Sequence, residues 1–398
     1  MVKFALLGYG TVGSGVAEVM AEQAEKIAGV VGRPVELKYI FVRHGYPGDP
    51  FEHLLTEDFS VIENDPEIAI VAETIGGITT AYDCAKRALK AGKSFVTSNK
   101  ELVAVHGWEL NELARANGVN FLFEGSVGGG IPLLRPLTQC LAANRIDEVF
   151  GILNGTTNYI LTAMDSEGRS FVDALKTAQE LGYAEADPTA DVEGHDACRK
   201  TAILADLAFG RNIDVAAIHT QGITHITAAD LELARALGYT IKLLGHAIRT
   251  EDGCCAFVEP HLIPTSHLLA NVNGVMNACV VRGSAVGEVM FYGPGAGKRP
   301  TASAVAADIV DAAGHLQLRK DTDLGTPGGK LTPEDEIVCA WYVRTRADHV
   351  LIQQHFPTAR PVYGTSQECG FITPPMTRAE LDMGLSAVEA TAAYRVLA

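Results

Sequence analysis

The chain has 398 residues, 47% of them hydrophobic and 20% charged, with a formal net charge of −16. At roughly 100–200 residues per domain this is two or three domains with ample core, which excludes a mainly disordered state. Such acidity repels phosphodiester backbones and excludes a general nucleic-acid binder. The eight cysteines have no C-x-x-C spacing and read as reduced thiols of a cytoplasmic protein.

Val2–Leu7 reads as a buried strand, too short for a secretory apolar region. Gly8-Tyr9-Gly10-Thr11-Val12-Gly13 follows at once, then a helical pattern from about Ser14 to Ala28 and a strand over Val35–Val42. This is G-x-G-x-x-G in a βαβ unit. Gly8 permits the tight turn, Gly10 lets a pyrophosphate approach the backbone, and Gly13 allows close helix–strand packing. The second strand ends in Arg43, where an acid would bind a ribose 2′-hydroxyl. An arginine there suits a 2′-phosphate and points to NADP, with NAD as the alternative. Further strands are expected at Ile68–Glu73, Ser94–Thr97 and Asn120–Phe123, with helices near Thr80–Ala91 and His106–Asn117. Their alternation predicts a doubly wound parallel Rossmann sheet over residues 1–135. No run of 18 apolar residues occurs, so no membrane span is expected.

Thr97-Ser98-Asn99-Lys100 leaves a strand at its carboxyl end, where α/β sheets open to ligands. Lys100 there can reach a carboxylate, or can simply open a helix. Glu124–Pro132 is a glycine-dense bend. A carboxylate with several carbonyls is the ligand set of a hard cation, although a plain hinge reads equally well.

Residues 136–300 read as an α+β substrate and dimerisation domain. Strands are expected at Ile146–Leu153, Tyr239–Arg249 and Cys254–Leu262. Helices are expected at Asn154–Glu167, Phe171–Gly182, Asp196–Phe209, Ala216–Gly222 and Ala228–Leu237. Asn154–Asn158 can cap its helix or hold a small polar substrate. Asp187, Asp191, Glu193 and Asp196 precede an apolar helix on which Asp196 and Lys200 share a face. A lysine at the margin of buried structure becomes a usable acid or base. His195 reads as structural. Phe291–Gly297 is a third glycine bend, and the helix 301–316 packs back on the first domain. Residues 317–332 read as a linker and 333–398 as a small appendage.

Taken in order, these motifs resemble homoserine dehydrogenase over about residues 1–316, most specifically from Gly182-Tyr183-Ala184-Glu185 to Lys200. The resemblance implies reversible NAD(P)H-dependent reduction of L-aspartate 4-semialdehyde to L-homoserine, a step toward threonine, methionine and isoleucine. It implies Lys200 as the acid–base lysine, Lys100 as a second catalytic-site lysine, and Asp196 as the residue that orients Lys200. Glu185 is implied to hold the substrate amino group, with Asp191 and Thr156 completing the substrate set. The cofactor is implied to lie on Gly8, Gly10, Thr11, Val12, Gly13, Arg43, Ser98, Lys100 and Gly297. A monovalent cation, sodium in most members, is implied at Glu124 with the carbonyls of Val127, Gly129 and Ile131. Members are homodimers or homotetramers.

Ala340–Arg346 and Cys369–Leu397 resemble parts of the regulatory ACT module of longer members. Ala347–Val350 lacks the proline and glycine of that module's ligand turn, so a degenerate ACT-like remnant is expected. Two other classes compete. One is a semialdehyde dehydrogenase that forms an acyl intermediate on a cysteine, with Cys198 near His195 as the pair to test. The other is a non-catalytic NADP-binding sensor.

Overall fold

Six strands form the first sheet: β1 (Val2–Leu7), β2 (Val35–Phe41), β3 (Leu55–Thr56), β4 (Ile68–Glu73), β5 (Ser94–Thr97) and β6 (Phe121–Leu122). All five pairings are parallel and the order is β3-β2-β1-β4-β5-β6, a doubly wound sheet. Its central strands are apolar on both faces because helices cover both; Phe4, Leu6, Ile70, Val71, Phe95 and Val96 have no exposed surface. The computed structural model describes residues 1–320, 322–365 and 368–397.

The chain divides into two units. The first takes Met1–Arg145, Ala202–Val215 and Gly293–Gly329; the second takes Ile146–Thr201, Ala216–Tyr292 and Lys330–Ala398. Residues 136–145 and 202–215 thus fall in the first unit, not with the middle region as expected. The helix Lys298–Gly314 belongs to the first unit. Its Ala302, Val305, Ala306 and Ile309 share one core with Phe4, Leu6, Val16 and Met20.

Around the first sheet, three local readings differ from the sequence pattern. The helix expected over 14–28 is two helices, Thr11–Glu22 and Ala24–Val31, broken at Gln23 where ψ is 16°. The helix expected from His106 begins at Lys100, because the Asn99 side chain accepts from the N–H groups of Glu101 and Leu102. The two-residue β3 and the helix Phe59–Asn64 are too short for periodicity to find.

The second sheet contains β7 (Ile146–Ile152), β8 (His219–Thr220), β9 (Tyr239–Arg249), β10 (Cys254–Pro264), β11 (Met276–Gly283) and β12 (Gly287–Pro294). It continues through β13 (Trp341–Thr345), β14 (Val362–Tyr363), β15 (Cys369–Ile372) and β16 (Ala390–Val396). The order is β12-β11-β7-β9-β10-β16-β13-β15-β14, with β8 on β10. The helix expected at Ala216–Gly222 is a short 3₁₀ turn, Val215–Ala217, followed by β8. The β-branched Ile218 and Thr220 suit an extended strand, and His219 and Thr220 pair with Phe257 and Val258 of β10.

Residues beyond 340 form a β-α-β-β-α-β unit, with helices His349–His355 and Arg378–Leu385, whose strands order β16-β13-β15-β14. It is no separate appendage. β16 pairs in parallel with β10 through His261↔Arg395 and Leu262↔Val396, so the sheet is continuous. The buried Arg395 pairs with Glu259 and lies 4.7 Å over the Phe257 ring and 4.5 Å over the Trp341 ring. Its shortest strand, β14, has two residues. Asp348 caps the helix at the expected ligand turn, accepting from Leu351 N–H at 2.8 Å.

One glycine sets how closely a helix lies on this sheet. A Cβ on Gly245 of β9 would stand 2.1 Å from Thr201 Oγ1 and 2.8 Å from Leu153 Cδ1. Gly245→Ala therefore pushes away the helix His195–Phe209, and overpacking of this kind costs about 1–3 kcal/mol. A lower urea midpoint is the expected result; an unchanged midpoint would mean the helix has slack there.

Candidate active site

In the first unit, Gly8 has φ +90° and its N–H donates to Phe41 O at 2.9 Å. A Cβ on Gly13 would lie 2.2 Å from Gly8 O, so this turn closes only with glycine. Gly10 is the opposite case: a Cβ there meets nothing within 4 Å. It begins the helix Thr11–Glu22, whose first turn has no side-chain cap and no acidic residue. The N–H groups of Thr11 and Val12 thus open a helix toward accessible surface, an arrangement suited to an anion. A dinucleotide pyrophosphate fits this cradle.

Because Leu7 pairs with Phe41, the exposed Arg43 leaves β2 at the same sheet end as the glycine turn. The segment after it is pinned: Tyr9 Oη donates to Asp49 Oδ1 at 2.8 Å, and the Tyr46 ring packs 5.1 Å from Tyr9 and 5.0 Å from His44.

The ends of β4 and β5 are knitted by Glu73, a residue not foreseen. Fully buried, its carboxylate accepts from Thr97 Oγ1 at 2.5 Å, Ile75 N–H at 2.6 Å and Gly76 N–H at 3.0 Å. Burial raises this carboxyl above its ordinary range, and the hydrogen bonds oppose that shift. Thr97 Oγ1 accepts in turn from Asn99 N–H at 2.9 Å. Asn99 donates to Gly77 O at 2.5 Å and caps the helix that Lys100 opens. Ser98 and Lys100, both half-buried, therefore sit on a rigid strand end.

The Glu124 carboxylate accepts three backbone N–H groups: Leu133 at 2.6 Å, Leu134 at 2.9 Å and Arg135 at 2.7 Å. Both of its oxygens thus accept main-chain N–H groups. The bend is held from behind by Asp308, which accepts from Glu124 N–H at 2.8 Å and from Arg135 at 2.5 Å. Gly129 and Gly130 let it meet the third glycine bend: a Cβ on either would lie 2.3 Å from Gly295 O or 2.6 Å from Pro300 Cβ. Gly297, at φ +121°, begins the helix at Lys298. No group of three or more His, Cys, Asp or Glu side chains among the described residues could hold a metal.

The second unit gathers Thr156, Asp191, Asp196 and Lys200, and adds Asn154. Lys200 has 8% of its surface exposed and Asp196 4%. Lys200 Nζ donates to Leu153 O at 2.7 Å and to Asp196 Oδ2 at 2.8 Å. Asn154 Nδ2 donates to Asp191 Oδ1 at 2.7 Å and to Asp196 Oδ2 at 2.8 Å. Thr156 Oγ1 donates to Tyr183 O at 2.6 Å. Burial raises the Asp191 carboxyl above its usual range, and the charge on Asp196 adds to this. Glu185 is exposed, as is His195. Cys198 is buried, which pushes its thiol up, away from the thiolate that an acyl intermediate needs.

Hydride chemistry at a carbonyl asks for a dinucleotide cradle and an enclosed group able to move a proton. The chain has both, and the pairing defines a nicotinamide-dependent oxidoreductase. The family model for the homoserine dehydrogenase NAD-binding domain matches residues 8–124, and that for homoserine dehydrogenase matches residues 132–310. A curated homoserine dehydrogenase from Pseudomonas aeruginosa is 45% identical over 361 residues, 87% of this chain and 82% of that protein. The crystal structure of a homoserine dehydrogenase from Thiobacillus denitrificans superposes with a TM-score of 0.90 at 37% identity, covering 100% of this chain and 98% of that one. A hyperthermophilic archaeal homoserine dehydrogenase in complex with NADPH has a TM-score of 0.67 at 28% identity, covering 78% of this chain and 97% of that one. The chain belongs to the homoserine dehydrogenase family and is an NAD(P)-dependent oxidoreductase acting on a CH–OH group.

Replacing Glu73 by alanine strips the acceptor from two N–H groups and one hydroxyl. The expected cost is about 1–3 kcal/mol in urea unfolding, with Glu73→Gln milder because an amide oxygen still accepts. Equal stability of all three proteins would show that solvent replaces the carboxylate.

Proposed function

We propose that the chain interconverts L-aspartate 4-semialdehyde and L-homoserine with NADP(H) preferred over NAD(H), and that Lys200 is the residue that moves the proton. When bound, the nicotinamide supplies the hydride. The single observation that carries this reading is the enclosed lysine, fixed by Leu153 O and Asp196 at 2.7 and 2.8 Å. An ammonium held so can meet negative charge as it grows on the substrate oxygen and then donate its proton there. Asp196 orients the amine. Glu185, exposed and acidic, is assigned the substrate ammonium, and Asp191 and Thr156 are assigned to the substrate as well; Lys100 is assigned the substrate carboxylate. Gly8, Gly10, Thr11, Val12, Gly13, Ser98 and Gly297 are assigned the cofactor, and Arg43 its 2′-phosphate.

The carbonyls of Glu124, Val127, Gly129 and Ile131 are proposed to hold a monovalent cation such as sodium. The commitment of the Glu124 side chain to three N–H groups supports a carbonyl cage over a carboxylate ligand. The eight free cysteines, six of them buried, support a reducing compartment, the cytoplasm. A homodimer or homotetramer is the proposed assembly.

Lys200→Ala is expected to lower kcat by about 100-fold or more, read as homoserine-dependent NADP+ reduction; near-normal turnover would remove Lys200 from the chemistry. Arg43→Ala is expected to raise KM for NADPH by roughly 10-fold or more while leaving KM for NADH nearly unchanged. Equal effects on both cofactors would sink the 2′-phosphate assignment.

A further inference from the structure

Asn154 reads from sequence as a helix cap, and it is one. Its Oδ1 accepts from Thr157 N–H at 2.8 Å and Thr157 Oγ1 at 3.1 Å. A side-chain amide whose oxygen is so engaged has only its NH₂ left to give. Here one amide nitrogen serves two carboxylates, Asp191 and Asp196, at 2.7 and 2.8 Å. The orientation is fixed from both sides: turning the amide over would set its oxygen against two carboxylates and its NH₂ against the Thr157 N–H.

The residue before it completes a closed circuit. Leu153 O and Asp196 Oδ2 both accept from Lys200, and Asp196 Oδ2 also accepts from Asn154. Leu153 and Asn154 are consecutive, immediately after β7. Any shift of this dipeptide therefore moves the carbonyl under the amine and the amide under its counterion together. A capping role alone explains Oδ1 but not the two carboxylates on Nδ2.

We propose that Asn154 is a positioning residue for proton transfer: its amide bridges Asp191 and Asp196, holding both carboxylates in place so that Lys200 keeps its counterion and its place. This rests on the reading of Lys200 as the proton-moving group. Among the described residues, the charged groups acting on Asp191 are Asp196 and Lys200, both on the helix His195–Phe209; from the helix Gly155–Glu167 Thr156 reaches it, and from the cap of that helix Asn154 does. Asp191 already resists ionisation because it is buried and faces Asp196, and the Asn154 amide is the foremost influence opposing this. Loss of that amide therefore lets Asp191 keep its proton to higher pH.

Two substitutions separate bridging from capping. Serine and aspartate both cap helices about as well as asparagine. Asn154→Ser removes the bridge, and Asn154→Asp sets a third carboxylate between the two. The expected result for Asn154→Ser is a kcat lowered roughly 10- to 100-fold, with KM for NADPH little changed and the acid limb of the kcat–pH profile moved to higher pH. Asn154→Asp is expected to move that limb further in the same direction. It retains the size and the cap of asparagine, so it carries the test if the serine variant folds poorly.

The double variant Asn154→Ser/Lys200→Ala is expected to be no slower than Lys200→Ala alone. Wild-type kcat and an unmoved acid limb in Asn154→Ser and Asn154→Asp, with Lys200→Ala still crippled, would overturn the role of Asn154 and spare that of Lys200. Near-normal turnover in Lys200→Ala would instead remove the reading on which it rests.

Discussion

An ammonium taken out of water has to bring its anion and its acceptors inside with it, since an unpaired buried charge costs several kcal/mol. Lys200 imposes this demand on the second unit. Its carboxylate comes from one turn earlier on the same helix, and its second acceptor, Leu153 O, from the end of a strand. Strand end and helix must then lie unusually close. Gly245 makes the approach feasible, because no side chain stands between β9 and Thr201. Asn154 ties the arrangement to the start of the next helix. Chemistry and packing are here the same set of contacts.

The first unit meets a related demand with carboxylates. Glu73 and Glu124 each accept several main-chain N–H groups, and Asp308 takes the N–H of Glu124. Each gathers donors that irregular backbone would leave unsatisfied, at a place where the chain leaves the sheet. Loops that would otherwise be mobile become fixed surfaces beside the carboxyl ends of the strands. The glycine turn at Gly8–Gly13 solves the reverse problem: it leaves N–H groups unpaired and accessible, ready for an anion.

Much of this was legible in the residues. The βαβ pattern, the G-x-G-x-x-G turn and the i, i+4 spacing of Asp196 and Lys200 each follow from short-range periodicity, which a chain displays directly. Asn154 was harder to read, because its local role as a cap accounts for the residue type and hides the two carboxylates, 37 and 42 positions away. Glu73 carries no local signal of its role, because an acid closing an apolar strand looks like the strand's exit into water; only its total burial reveals otherwise. Non-local pairing was equally hidden. Nothing in residues 390–396 announces β10 as their neighbour, and the assignment of 202–215 to the first unit depends on packing alone.

The seam between β10 and β16 has a consequence for how the gene product tolerates shortening. Cutting the chain after about residue 332 would bare the edge of β10 at His261 and Leu262, beyond the stretch that β8 covers at Phe257 and Val258, and leave the buried Glu259 without the Arg395 guanidinium. Naked edges of that kind recruit other chains. The last sixty-odd residues therefore serve as a hem for the central sheet, and a viable shorter protein would first have to acquire charges or a kink along that border.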